Sequence, residues 1–178
     1  IEAGGDARLS DLTIAAPEVV IAADIDRDGA GDAWLSDTRV DAADLSEGGI
    51  GGDVEITGAR VALTDGTGID ARGAAGGGEV LVGGDYLGQG DTRTAERTHV
   101  SADSAIHVDA ETLGDAGRAI VWADQDTAFA GTITATGGAL GGDGGFVETS
   151  GKIHLAVAET GFVDASAALG EAGQWLLD

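Results

Sequence analysis

The stretch that decides the fold is GGDVEITGARVALTDGTGIDARG, at residues 51–73. Apolar residues alternate with polar ones in three short runs, and glycines separate the runs. The alternating apolar positions are Val54, Ile56, Val61, Leu63 and Ile69. A period of two is the signature of a half-buried β-strand, and glycine permits the tight corners between strands. The stretch therefore predicts three short strands joined by tight corners.

Looser copies of this unit occupy the rest of the chain. They begin at Gly76, Gly117 and Gly145, and the first of them carries a charged insertion, DTRTAERTH. The matching apolar positions are Val54, Val80, Ile120, Val147 and Trp175. A repeated unit that cannot bury its apolar face alone is typical of a solenoid, in which each coil packs on the next. We therefore predict an all-β fold, a single right-handed parallel β-helix (a β-solenoid) of about five to seven coils.

The regularity of the repeat differs along the chain. We expect one β-helix domain over residues 1–178, as a fragment of a larger protein. Residues 1–50 predict less regular coils with an acidic loop at 24–37. Residues 51–178 predict regular coils with an insertion near 88–100.

Composition and charge narrow the classes of function. The chain has 32 glycines, 4% aromatic residues, no cysteine and a net charge of -23. Such a charge repels a phosphate backbone, so we expect no nucleic-acid partner. The absence of cysteine excludes disulfides and thiolate metal sites. No run of apolar residues is long enough to predict a transmembrane segment.

Four motifs in the second half of the chain resemble the repeat signature of filamentous-haemagglutinin family exoproteins. They are GGEVLVGGDYLGQG (77–90), IVWAD (120–124), GGDGGFVETSGK (141–152) and FVDASAALGEAGQWLLD (162–178). Each motif alone is simply glycine-rich. Their shared order and coil spacing make the resemblance specific, and it covers about residues 50–178.

The resemblance implies a function and a location. Members of this family are large adhesins, the passengers of two-partner secretion, and an outer-membrane β-barrel secretion partner exports them. The chain is accordingly expected to be a structural and adhesive segment, secreted and at the bacterial cell surface or extracellular, serving cell adhesion, aggregation or biofilm formation. Cell-surface or matrix glycans or proteins would be its ligands. The family's N-terminal secretion domain carries Asn-Pro-rich motifs, and this chain has no asparagine, so we expect that domain to be absent and the chain to be an internal fragment.

One acidic loop carries a metal-binding pattern. Its aspartates follow a D-x-D-x-D-G-x-x-D spacing: Asp24, Asp26, Asp28 and Asp32, with Gly29 at the turn. Alternate carboxylates in one tight loop can converge on calcium. The twelfth position is Leu35, however, where a calcium loop of the EF-hand type has a bidentate glutamate. Calcium binding and an acidic, solvated turn both remain open for this loop.

Catalytic patterns are weak, so we expect no enzyme activity. His99, His107 and His154 are scattered, and no spacing joins them to a nucleophile. GGDGG at residues 141–145 is similar to a calcium-binding nonapeptide repeat, but it occurs once, which favours a coil corner.

Two alternative functions stay open. One is a carbohydrate-binding or carbohydrate-active β-helix of the polysaccharide-lyase kind. Its candidate residues are the basic cluster Arg93 and Arg97, with Asp91 and Glu96, and the tryptophans Trp34, Trp122 and Trp175. The pattern favours core or end packing for Trp122 and Trp175 and a more open Trp34. The other alternative is a calcium-dependent matrix or assembly module built on the acidic loop.

Overall fold

The computed structural model describes residues 1–178, which form 18 β-strands and one short 3-10 turn. The strands are β1 (Ala7–Ser10), β2 (Thr13–Ala15), β3 (Glu18–Ala22), β4 (Asp32–Ser36), β5 (Arg39–Asp41), β6 (Asp53–Thr57), β7 (Arg60–Thr64), β8 (Gly68–Asp70), β9 (Glu79–Val82), β10 (Arg97–Val100), β11 (Ala105–His107), β12 (Arg118–Ala123), β13 (Asp126–Phe129), β14 (Thr132–Thr134), β15 (Phe146–Gly151), β16 (His154–Val157), β17 (Phe162–Asp164) and β18 (Gln174–Leu177). The turn spans Tyr86–Gly88. The structure contains no helix that is long and apolar enough to cross a lipid bilayer.

Every third strand returns to the same sheet. The first sheet has the order β1-β4-β7-β10-β13-β16, the second contains β2 to β17, and the third contains β3 to β18, all in steps of three strands. Each sheet has six strands, and neighbouring strands are parallel. This is a β-solenoid of six coils, which confirms the predicted fold class and lies within the predicted number of coils.

Inward-facing side chains stack in ladders along the solenoid axis. In the second sheet Val40, Ile69, Ile106 and Ile133 lie in register on successive strands, and each is fully buried. β-branched side chains pack well at this spacing because each fills the gap above its neighbour. The ladders of the three sheets merge into one core of 26 buried residues.

One of the sequence-predicted repeat positions is wrong by a residue. Val80 and Val147 align with Ala119 and not with Ile120. Ile120 faces the opposite side of the third sheet, where it is buried with Leu81 and Trp122 in a second, smaller cluster. Successive residues of a strand point to opposite faces of the sheet. An apolar residue that is buried on the outer face therefore gives the same sequence signal as a core residue.

The irregular regions end earlier than the sequence predicts. Within residues 1–50, five strands pair in register with later coils. The acidic loop ends where β4 begins at Asp32, and the insertion ends where β10 begins at Arg97. Both strands contribute fully buried residues to the core, Leu35 and Val100, and this burial extends the strands into segments of polar composition.

Candidate functional site

Three of the four predicted metal ligands come together. Asp24, Asp26 and Asp28 each offer a carboxylate oxygen, and these oxygens lie within 4.8 Å of one another. Asp24 is fully buried, whereas the other two are exposed. The main-chain N–H of Gly29 donates to both Asp24 oxygens, at 3.2 and 3.1 Å. The loop thus brings the three carboxylates together at one position, with Asp24 on its buried side and Asp26 and Asp28 on its exposed side.

A guanidinium group already reaches this point. Arg93, from the insertion, donates to the Asp24 carboxylate and to the main-chain oxygens of Asp24 and Ala23. The hydrogen bond from Arg93 is the main reason why the pKa of Asp24 is lowered. Carboxylate oxygens are ligands that calcium prefers, so the chemistry of the three aspartates fits calcium. The Arg93 guanidinium would compete with the ion for Asp24.

The fourth predicted ligand lies apart from the other three. Asp32 begins β4 and accepts a 2.8 Å hydrogen bond from Arg60 Nε on the outer face of the first sheet. Leu35, at the position where a calcium loop would carry its glutamate, is fully buried in the core. The geometry therefore joins Asp24, Asp26 and Asp28 and assigns Asp32 to an ion pair.

The insertion, residues 83–96, covers the outer face of the third sheet. Trp122 lies beneath it with 4% exposure, and Tyr86 packs edge-on against Phe146 with ring centroids 5.6 Å apart. The main-chain N–H of Leu87 donates to both carboxylate oxygens of the fully buried Glu148, at 3.3 and 3.2 Å. Burial raises the pKa of Glu148.

The predicted basic cluster does not exist as one group. Arg93 points into the acidic loop, while Arg97 belongs to β10 and donates to Asp126 at 3.1 Å. The two arginines therefore serve different surfaces. Arg97 is the first residue of β10, so its side chain lies on the outer face of the first sheet and not in a protruding loop.

That outer face holds a groove, which we call the Trp34 groove. Its volume is about 590 Å³, and it crosses β4, β7, β10, β13 and β16. The lining residues used below are Asp32, Trp34, Arg60, Ala62, Arg97, His99, Asp126, Ala128, His154 and Ala156. Sequence reasoning missed this groove, since its residues are far apart in the chain and only the register between coils aligns them.

The three tryptophans occupy different environments. Trp34 is 42% exposed in the groove, and Trp122 is buried under the insertion. Trp175 is half-buried and packs edge-on against Phe129, with ring centroids 6.5 Å apart. These positions agree with the expected open Trp34 and the packed Trp122 and Trp175, although Trp122 packs outside the main core.

The three histidines lie apart from one another. His99 and His154 both line the groove, but β13 lies between their strands. His107 belongs to the second sheet, where its Nδ1 lies 2.8 Å from Thr134 Oγ1. Asp143 of the GGDGG segment lies between β14 and β15, and its carboxylate accepts the main-chain N–H of Glu171 at 2.8 Å. That bond joins two neighbouring coils.

Comparison with solved structures gives a match over the whole chain. The crystal structure of the HMW1 secretion domain from Haemophilus influenzae is 30% identical to it, with a TM-score of 0.69. The match covers 100% of this chain and 48% of that structure, so the chain spans about half the length of its structural neighbour. No family model matches the chain, and no curated protein matches it.

Proposed function

We propose that the chain is a structural and adhesive segment of a filamentous-haemagglutinin-type passenger of two-partner secretion. The observation that carries the proposal is the match of this β-solenoid, over its whole length and at 30% identity, to the HMW1 secretion domain. An outer-membrane β-barrel transporter is then its export partner. The bacterial cell surface or the extracellular medium is its location.

Two observations bear on the place of the chain within such a passenger. The lack of asparagine favours coils outside the secretion domain, whereas the structural neighbour is a secretion domain. Because the match covers the whole chain, we infer that its coils resemble those of such a domain.

The architecture supports a displayed, adhesive role. Six coils share one core, so the solenoid is a stiff body on which loops and sheet faces are held at fixed spacing. A net charge of -23 keeps such a surface soluble outside the cell. In this role the segment mediates attachment to surfaces, aggregation of cells or biofilm formation.

We also propose that the segment is not an enzyme. Asp32 and Asp126 of the groove are each held in an ion pair with an arginine. His99 and His154 lie on strands that β13 separates, so the two rings do not form an adjacent pair. Arg93 of the predicted lyase-like cluster is only 21% exposed, and its guanidinium is bound to Asp24 in the acidic loop.

Export and adhesion are tested separately in the producing bacterium. Antibodies raised against residues 1–178 should label intact cells or the culture medium, and deletion of the transporter gene should abolish that label. Label that appears only after permeabilisation would contradict the proposed location.

In-frame removal of whole coils should then reduce attachment and aggregation while the remaining protein still reaches the surface. Unchanged attachment would contradict the adhesive role.

A further inference from the structure

We propose that the Trp34 groove is a binding site for a neutral oligosaccharide of hexoses, lying across the strands of the first sheet. This inference deepens the adhesive function proposed above and rests on it, since it names the ligand class that an adhesive segment would hold. Three features of the groove support it: a fixed aromatic platform, a trough of small side chains, and an edge of paired charges.

Trp34 provides the platform. Its indole Nε1 donates to Thr64 Oγ1 at 3.0 Å, and the guanidinium of Arg8 lies over the ring, 5.7 Å from its centroid. These contacts fix the ring while 42% of the residue stays exposed. Arg8 occupies one face of the ring, so the apolar C–H face of a pyranose would stack on the other face, and little side-chain freedom is lost on binding.

The trough continues from Trp34 along the solenoid axis. Register places Ala62, His99, Ala128 and Ala156 after Trp34 on successive strands. Strands lie about 4.8 Å apart, so the trough extends over a distance of several sugar rings, and the three alanines keep its floor low on both sides of His99. The groove volume, about 590 Å³, lies within the ordinary range for small-molecule sites.

The edge of the trough carries paired charges two residues earlier on four of the five strands, β4, β7, β10 and β13. Arg60 Nε lies 2.8 Å from Asp32 Oδ1, and Arg97 Nε lies 3.1 Å from Asp126 Oδ2. The side chains of both arginines are more than half exposed, at 56% and 60%. Each pair presents N–H donors beside carboxylate acceptors, and neighbouring sugar hydroxyls need both.

Charge decides between neutral and acidic sugars. The two arginines and two aspartates of the edge balance one another, whereas the whole chain carries -23. The surrounding field repels a polyanion, and no excess of positive charge in the groove offsets that repulsion. A neutral polymer meets no such repulsion and can still use every donor and acceptor.

The test is isothermal titration of residues 1–178 with cellohexaose, with maltohexaose and, as the acidic counterpart, with hexagalacturonate. Two variants remove the site in different ways. Trp34→Ala deletes the platform, and Ala128→Arg fills the trough while leaving the platform in place. Phe162→Ala is the matched control, because Phe162 is an aromatic residue with 55% exposure on a strand of the second sheet.

We expect at least one neutral hexamer to bind, with at least tenfold weaker binding in Trp34→Ala and in Ala128→Arg and unchanged binding in Phe162→Ala. Circular dichroism checks that both groove variants keep the β-sheet spectrum of the wild type. Absence of neutral binding, binding that neither groove variant weakens, or tighter binding of hexagalacturonate would each overturn the proposal. This measurement uses purified protein, so its failure leaves the export result unaffected, and a failed export experiment leaves the sugar result standing.

Discussion

Asp70 is an acidic residue on the outer face of the second sheet, yet its side chain is only 3% exposed. Arg72 covers it with two hydrogen bonds of 2.8 Å, and Arg39 adds a third of 3.0 Å from the preceding coil. Burial alone would raise the pKa of Asp70. The hydrogen bonds and charges of the two arginines outweigh burial and lower the pKa to about 2.

The lowered pKa predicts acid sensitivity. Stability from Asp70 is present above its ordinary pKa of 3.8 and is lost as the pH falls towards about 2. Asp70→Asn should therefore reduce the free energy of unfolding at neutral pH by about 2 kcal/mol, and the difference from the wild type should vanish at strongly acidic pH. Urea unfolding across this pH range measures it. Asp41→Asn, at the more exposed partner of Arg39, should cost less than about 1 kcal/mol.

The pKa of Glu148 is shifted in the opposite direction to that of Asp70, because burial raises it above the ordinary 4.5. The folded state holds its proton more tightly than the unfolded state does. This contribution to stability is therefore complete below the ordinary pKa and is lost as the pH rises through the raised value. Glu148→Gln should remove that loss and raise the unfolding midpoint at neutral pH relative to the wild type. The gain should shrink as the pH falls towards 4.5. A lower midpoint at neutral pH would mean that the ionised carboxylate stabilises the insertion.

At the scale of an element, the acidic loop and the insertion form one unit, since Arg93 joins them across two coils. Calcium should raise the unfolding midpoint of the wild type by mass action. The increase should be larger in Arg93→Ala, which frees Asp24, and absent in the double variant Asp26→Ala, Asp28→Ala. Thermal unfolding across a calcium titration measures all three. No response in any variant at millimolar calcium would leave the loop as an acidic turn.

Two glycines should differ sharply in how much an alanine substitution reduces stability. A Cβ at Gly117 would lie 1.9 Å from the carbonyl oxygen of Gly78 in the neighbouring coil, whereas a Cβ at Gly68 would have no heavy atom within 4 Å. Gly117→Ala should cost roughly 1–3 kcal/mol through overpacking. Gly68→Ala should leave stability unchanged or slightly higher, because alanine loses less backbone freedom in a strand. Equal effects at the two positions, measured by urea unfolding, would contradict this account of the corners.

The sequence predicts the strands and their order well, because alternation and glycine corners are local signals. It predicts register less well: the repeat spacing places Ile120 at a core position that Ala119 occupies. It does not predict which side chains meet across coils. Arg93 and Asp24, or Trp34 and Ala62, are brought together by the number of residues in each coil, and insertions change that number.

At the scale of the whole molecule, the net charge affects the stability of the folded state. A net charge of -23 on six coils destabilises the folded state through self-repulsion. The screening length falls from about 10 Å at 0.1 M salt to about 3 Å at 1 M, so the unfolding midpoint should rise by several degrees over that range of NaCl. An equally osmotic concentration of glycerol should have a smaller effect. A midpoint that falls with salt would mean that the arginine ion pairs outweigh the net repulsion.

The parallel pairing of the three sheets also has a mechanical consequence. Hydrogen bonds between neighbouring coils run along the solenoid axis, so a pull along that axis loads the bonds of the outermost coil first. Six coils at the strand spacing span roughly 29 Å, whereas 178 residues drawn straight reach roughly 600 Å. Under tension the molecule should unwind coil by coil and lengthen about twentyfold, which would make it an extensible tether that dissipates shear before an attachment breaks.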